Sequence, residues 1–206
     1  MPLIRKGDGA RAVAGDTAAE AALRGGTSNE RWAAARALSG RAEALGVLGA
    51  ALASEPDARV REAILTGLAR IGTAASAEPI LLLLRSDDAS LRAAALDALR
   101  VMPRALETHL ARLLDDPDAD VRLLACDLAR GLSSAAALQL LCNLLTRDPE
   151  ANVCAAAVDV LAEYGGAEAL PALAACAARF TDVPFLVFSV NIAAERIRSQ
   201  PPTPDG

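Results

Sequence analysis

Apolar and polar residues alternate along the chain in a helical rhythm, and the rhythm restarts at a nearly fixed interval. In Asp118-Ala-Asp-Val-Arg-Leu-Leu-Ala-Cys-Asp-Leu-Ala, an acidic residue precedes a Val-Arg pair, and apolar residues then recur every three or four positions. That pattern predicts a helix opened by a side-chain cap and burying one stripe. Near copies begin at Asp57, Asp88 and Glu150, with anchors at Val60, Leu91, Val121 and Val153, so the steps are 31, 30 and 32 residues. One step back from Val60 lies the segment from Thr27 to Leu38, with Glu30 at the anchor and Arg31 after it. A step of 32 beyond Val153 reaches Phe185, with Asp182 at the cap place. A fixed period over most of a chain marks an array in which each unit buries its apolar face against its neighbours.

Each unit reads as helix A, turn, helix B, with units starting near residues 27, 57, 88, 118, 150 and 182. In the second unit helix A is predicted from about Ala58 to Ile71, the turn at Gly72, and helix B from about Ala77 to Arg85. Pro79 then falls in the first turn of helix B, where a missing N–H is harmless. Later B helices are predicted at about Ala105–Leu114, Ala135–Thr146 and Glu168–Arg179. Acid–proline junctions at Asp116-Pro117 and Asp148-Pro149 stop one helix and cap the next. The sixth unit is one helix from Pro184 to about Ser199. Residues 1–15 lack periodicity and read as a flexible tail, Asp16 as the cap of a short covering helix, and residues 199–206 as a disordered tail. The expectation is an all-α, right-handed α-solenoid of about five helical pairs plus a terminal helix, occupying residues 16–198 as a single array.

Composition narrows the function. Hydrophobic residues make up 53% and aromatics 2%, dominated by Ala and Leu, which suits closely packed helices. The net charge of −5 argues against binding the phosphate backbone of a nucleic acid. No apolar run approaches the length of a membrane span. Arg5 and Lys6 are not followed by the apolar stretch of a secretory signal. Cys126, Cys142, Cys154 and Cys176 form no C-x-x-C, and His109 is the single histidine, so no metal site and no cofactor are expected. The thiols read as small buried residues in a reducing cytoplasm.

Three rows repeat with the period. Arg31, Arg61, Arg92 and Arg122 share one position, which holds Cys154 in the fifth unit. They read either as a basic ladder for an anionic partner or as structural donors to caps and turn carbonyls of a neighbouring unit. Asp57, Asp88, Asp118 and Glu150 recur at the cap. Asp97, Asp127 and Asp159 form a third row, either a solvated stripe or an acidic docking stripe.

The pattern Asp-Pro-Asp-x-x-Val-Arg-x-x-Ala, a Gly-containing turn, then Ala-Leu-Pro-x-Leu resembles the HEAT-like repeat of the subtype named after phycobilisome linker-pigment lyases. The resemblance spans about residues 27–197 and is strongest at 57–72, 116–131 and 148–173. Arrays of this family serve pigment lyases, hydroxylases, base-excision enzymes and pure scaffolds. One histidine cannot supply the His-Glu pairs of the iron hydroxylases. Few aromatics and an acidic chain do not suit a glycosylase cleft, so no catalytic residue is expected. The resemblance implies that the B helices line the concave, partner-binding surface. With Ile80, Leu83, Leu84, Leu106, Leu110, Leu113, Leu114, Leu138, Leu141, Leu144, Leu145, Leu170 and Leu173 assigned to the core, that surface would be Glu78, Leu81, Leu82, Arg85, Glu107, Thr108, Arg112, Gln139, Leu140, Asn143 and Arg179. Cys142 and Ala172 would face outward with them.

The leading expectation is a non-enzymatic scaffold or adaptor for a protein partner. The alternatives are a bilin lyase or lyase-like subunit, with Arg85 and Arg112 toward the tetrapyrrole propionates, and an accessory subunit or maturation factor of a larger enzyme. On the last helix, Phe185, Phe188 and Ile192 fall on the inherited core register and are expected to dock on the fifth unit. Leu186, Val190, Ala193 and Ile197 form a band roughly 100° away. No helix B follows to cover them, because Pro201, Pro202 and Pro204 forbid one. That band is expected to meet a second copy, another partner or the tail.

Overall fold

The computed structural model describes residues 8–199 with residue 133 excepted; the expected tails at residues 1–7 and 200–206 lie outside the described residues. The chain groups into two compact units, Met1–Ala105 and Leu106–Gly206. Among the described residues the regular elements are helices only.

In the first unit the helices are α1 (Asp8–Gly25), α2 (Ser28–Leu38), α3 (Leu45–Leu52), α4 (Ala58–Ile71), α5 (Ala74–Leu81) and α6 (Ala89–Arg100). The A helices α2, α4 and α6 lie side by side, and the B helices α3 and α5 form a second layer against them. Helix α1 packs on both α2 and α3, in the place of a preceding pair. It begins at Asp8, so residues 8–15, expected in a flexible tail, belong to this covering helix. Helix α7 (Pro103–Leu114) spans the boundary between the units. The second unit holds α8 (Ala119–Ala129), α9 (Ala135–Leu145), α10 (Ala151–Tyr164), α11 (Leu170–Arg179) and α12 (Pro184–Ser199). Here α8, α10 and α12 form one layer, and α9 and α11 the other. Each unit is thus a stack of helical pairs, the all-α solenoid arrangement.

Local chemistry sets the helix ends. Asp57, Asp88 and Asp118 each accept the N–H two residues on, satisfying donors the helix cannot. Thr27 opens α2 with a capping box closed by Glu30. Gly72 ends α4 at φ +69°, a left-handed conformation that costs glycine nothing. Helix α5 starts earlier than predicted, because Thr73 caps it and Ser76 completes the box. Pro79 therefore sits inside α5 rather than in its first turn, and the helix gives way two residues later to a 3-10 turn over Leu82–Arg85.

The tighter turn rotates the buried face. At three residues per turn Leu81 and Leu84 share a side. Both are buried and Leu82 is 70% exposed, so Leu81 is a core residue and not the outward one expected. Leu83, Leu138 and Leu170 are only half-buried, while Cys142 and Ala172 are buried, against expectation for all five.

The last helix carries the largest correction. The third residue of each A helix from α4 onward is Val60, Leu91, Val121, Val153 and Leu186, so the final step is 33 residues, not 32. The extra residue shifts the register by 100°. Leu186, Val190, Ala193 and Ile197 are buried within the chain, where α12 packs on α10 and α11. Phe185, Phe188 and Ile192 are the exposed side, at 51%, 67% and 49%.

Candidate functional site

The arginine row is structural. Arg31 pairs with Glu55 through Nε–Oε2 and Nη2–Oε1, both at 2.8 Å, and also donates to the Gly26 carbonyl. Arg122 repeats this with Asp148 at 2.6 and 3.1 Å and with the carbonyls of Asp116 and Pro117. Arg61 donates to the carbonyls of Glu55 and Pro56, and Arg92 to that of Ser86. The carbonyls belong to the loop leading into the arginine's own helix, while the carboxylates belong to the next loop. Those loop residues, Glu55, Ser86, Asp116 and Asp148, lie two positions before each cap and accept its N–H. The hydrogen bond from Arg31 holds the Glu55 carboxyl below the usual carboxylate range. Asp148 in turn helps hold the Arg122 guanidinium charged.

The B-helix residues expected to bind a partner divide. In the first unit Leu82 projects from the 3-10 turn beside the exposed Arg85, and Glu78 is half-buried. On α7, Glu107, Thr108 and Arg112 are exposed. Arg112 Nη2 donates to Nδ1 of His109, which is buried. On α9, Gln139 donates to Asn143 while Leu140 is half-buried. Arg179 is committed to the carbonyls of Leu145 and Asp148, so it braces the second unit.

The A-helix face, which sequence reasoning passed over, holds the cavities richest in chemistry. Between α2 and α4 a cleft of about 460 Å³ is lined by Trp32, Arg36, Ser39, Arg59, Glu62, Ala63, Thr66 and Arg70. The guanidinium carbons of Arg36 and Arg59 lie 4.7 and 4.0 Å from the Trp32 ring centroid. The Ser39-Gly40 turn closes against Gly67 of α4: the Gly40 N–H donates to the Gly67 carbonyl, and a Cβ on Gly67 would lie 3.4 Å from Ser39 Cα. In the second unit a cavity of about 390 Å³ lies along α10 and α12, where Val158, Ala162, Phe188 and Ile192 supply apolar surface and Arg130, Asp159, Glu163 and Arg196 the rim. Arg130 is ion-paired with Glu163 there. The signal available in the sequence was the single Trp with an arginine one helical turn on, Trp32 and Arg36.

The four cysteines are free and buried. Burial pushes the Cys126 thiol up to about 12. Cys154 and Cys176 share a hydrogen bond that raises the first and lowers the second. No group of three or more metal-ligating side chains occurs among the described residues, and no helix among them is long and apolar enough to cross a membrane.

A family model for HEAT repeats matches residues 16–100 and 106–183. The chain belongs to the HEAT repeat family. Each matched span lies within one of the two compact units. No curated protein matches the chain. Among solved structures, this HEAT repeat chain is similar to an archaeal HEAT-like repeats protein from Thermococcus onnurineus NA1, at 19% identity over 89% of this chain and 87% of that one, with a TM-score of 0.49. It is also similar to an engineered protein, at 21% identity over 90% and 99% of the two chains with a TM-score of 0.43. A designed armadillo repeat protein in complex with the peptide (KR)4 shares 19% identity over 87% and 98%, with a TM-score of 0.46. The match is to HEAT repeats at large; the phycobilisome-lyase subtype is finer than what it shows.

Proposed function

We propose that this HEAT repeat chain is a non-catalytic scaffold that binds a protein partner in a reducing cytoplasm. The observation that carries the reading is the change of character along one repeated face. The positions that hold Arg59, Glu62 and Thr66 on α4, and Asn152, Ala155 and Asp159 on α10, hold Phe185, Phe188 and Ile192 on α12. Large apolar side chains left about half exposed or more on one helix face lose free energy to water, about 25 cal/mol per Å2, which a partner recovers. The fitting partner is an amphipathic helix with apolar residues at i, i+3 or i+4, and i+7, laid along the cavity between α10 and α12. Leu82, on the 3-10 turn after α5, and Leu140, on α9, are secondary contacts, each considered within its own unit. Four buried free thiols suit a reducing compartment. No observation favours the bilin-lyase reading: Arg112, one of the two residues it would use, is engaged with His109.

The test places a photo-crosslinking residue at position 188, at position 82 and, as a control, at position 120. The partner captured from the native host is then purified and titrated against Phe188→Asp with Ile192→Asp and against Leu82→Asp with Leu140→Asp. A loss of about tenfold or more in one double variant, with helical circular dichroism retained, supports the reading. A partner whose affinity is insensitive to both pairs overturns it.

A further inference from the structure

The cleft between α2 and α4 has the opposite charge to the chain that carries it. Arg36, Arg59 and Arg70 line it against the single carboxylate of Glu62, whereas the whole chain carries −5. Arg70 makes no hydrogen bond or ion pair among the described residues, and the contact of Arg36 is with the Trp32 ring. Arg36 and Arg59 both pack on the Trp32 ring, and Arg59 Nη1 also donates to Asn29 Oδ1 at 3.2 Å; a guanidinium held this way keeps further N–H donors for a carboxylate. Ser39 Oγ is buried in the cleft wall with no hydrogen-bond partner. The next groove, between α4 and α6, is larger at about 690 Å³ but sets Glu62 and Asp97 against Arg70 alone, with Val101 at its edge. The basic character therefore belongs to the first groove and not to the face in general.

We propose that this cleft binds an acidic peptide segment of a partner protein, its carboxylates held by Arg36, Arg59 and Arg70 beside Trp32. The reach of the site argues for a segment and not an ion. Arg59 and Arg70 stand eleven positions apart on α4, about 16 Å at 1.5 Å per residue. An extended peptide covers that distance in about five residues. The cavity volume falls within the range of about 300–1,000 Å³ typical of ligand sites, well beyond a lone carboxylate. The whole chain carries −5, which disfavours a long polyanion such as a nucleic acid. The proposal rests on the protein-binding reading above but uses none of that reading's contact residues, so either can fail alone.

Trp32 is the only tryptophan of the chain, so its emission reports the site directly. The probe is a blocked peptide of about six alternating Glu and Asp residues, with the Gln/Asn peptide and an oligothymidylate of matched charge as controls. A saturable change in Trp32 emission is expected with the acidic peptide alone, weakening as salt is raised. Arg59→Gln with Arg70→Gln should weaken it about tenfold or more. Arg104→Gln with Arg147→Gln, which remove the same charge elsewhere, should leave it within about twofold. The absence of a saturable change, equal loss in both variants, or equal binding of the oligothymidylate would each overturn the proposal. If the cleft variant loses helical circular dichroism, the Gln/Asn peptide and the wild-type salt dependence decide. Crosslinking from position 188 is unaffected by any of these results.

Discussion

Arg122 grips Asp148 by two parallel hydrogen bonds, at 2.6 and 3.1 Å, and both side chains are buried. The pair joins the loop before α8 to the loop before α10, since Arg122 also holds the Asp116 and Pro117 carbonyls while Asp148 accepts the Glu150 N–H. Removing one partner leaves a charge stranded away from water. Asp148→Ala should therefore destabilise the protein by about 3–5 kcal/mol in urea unfolding. The exposed pair Arg130–Glu163 is the comparison: Glu163→Ala should cost less than about 1 kcal/mol. Similar losses from the two substitutions would refute the distinction.

Stability should fall in acid through Glu55. Arg31 holds its carboxyl below the ordinary value in the folded chain, so the folded state binds this proton less readily than the unfolded state. The stabilisation is present above the unfolded value, about 4.3, and is lost as the pH falls through the lower folded value. Asp57, lowered first by the Ser28 hydroxyl, adds in the same sense. Urea midpoints between about pH 5 and pH 2 should decline less steeply in Glu55→Gln than in the wild type. Parallel curves would remove Glu55 from the account.

The register of α12 is open to a simple stability test. Leu186→Ala should cost about 2–5 kcal/mol, because it opens a cavity against α10 and α11. Phe188→Ser, on the exposed side, should change stability by less than about 1 kcal/mol. Val190→Glu would bury a charge and unfold the helix, so it cannot serve as a surface probe. The opposite order for Leu186 and Phe188 would restore the register expected from the sequence.

The thiols should be silent in the native protein. Cys126 is fully buried and its thiol is pushed up to about 12, leaving almost no thiolate at neutral pH. A disulfide-exchange reagent at pH 8 should label the four cysteines only after denaturant is added. Prompt stoichiometric labelling in native buffer would show that the α8–α10 packing opens.

Period, caps and stripe were determined by the sequence, because each is a local matter: a side-chain oxygen within three residues of a free N–H, or apolar residues one helical turn apart. They placed α4, α6, α8 and α10 within a residue or so and picked out the arginine row, whose structural role the packing then decided. What tertiary structure decided was everything that depends on a phase. One extra residue before α12 turned the expected interface of Leu186 and Val190 into core and left Phe185, Phe188 and Ile192 in solvent. A 3-10 turn after Pro79 buried Leu81 and freed Leu82. The cleft at Trp32 also needed three dimensions, since Arg59 and Arg70 approach Trp32 and Arg36 only when α2 and α4 lie side by side. A sequence states which residues repeat; the angle at which neighbouring helices present them is set by packing, where a shift of one position rotates a side chain by 100°.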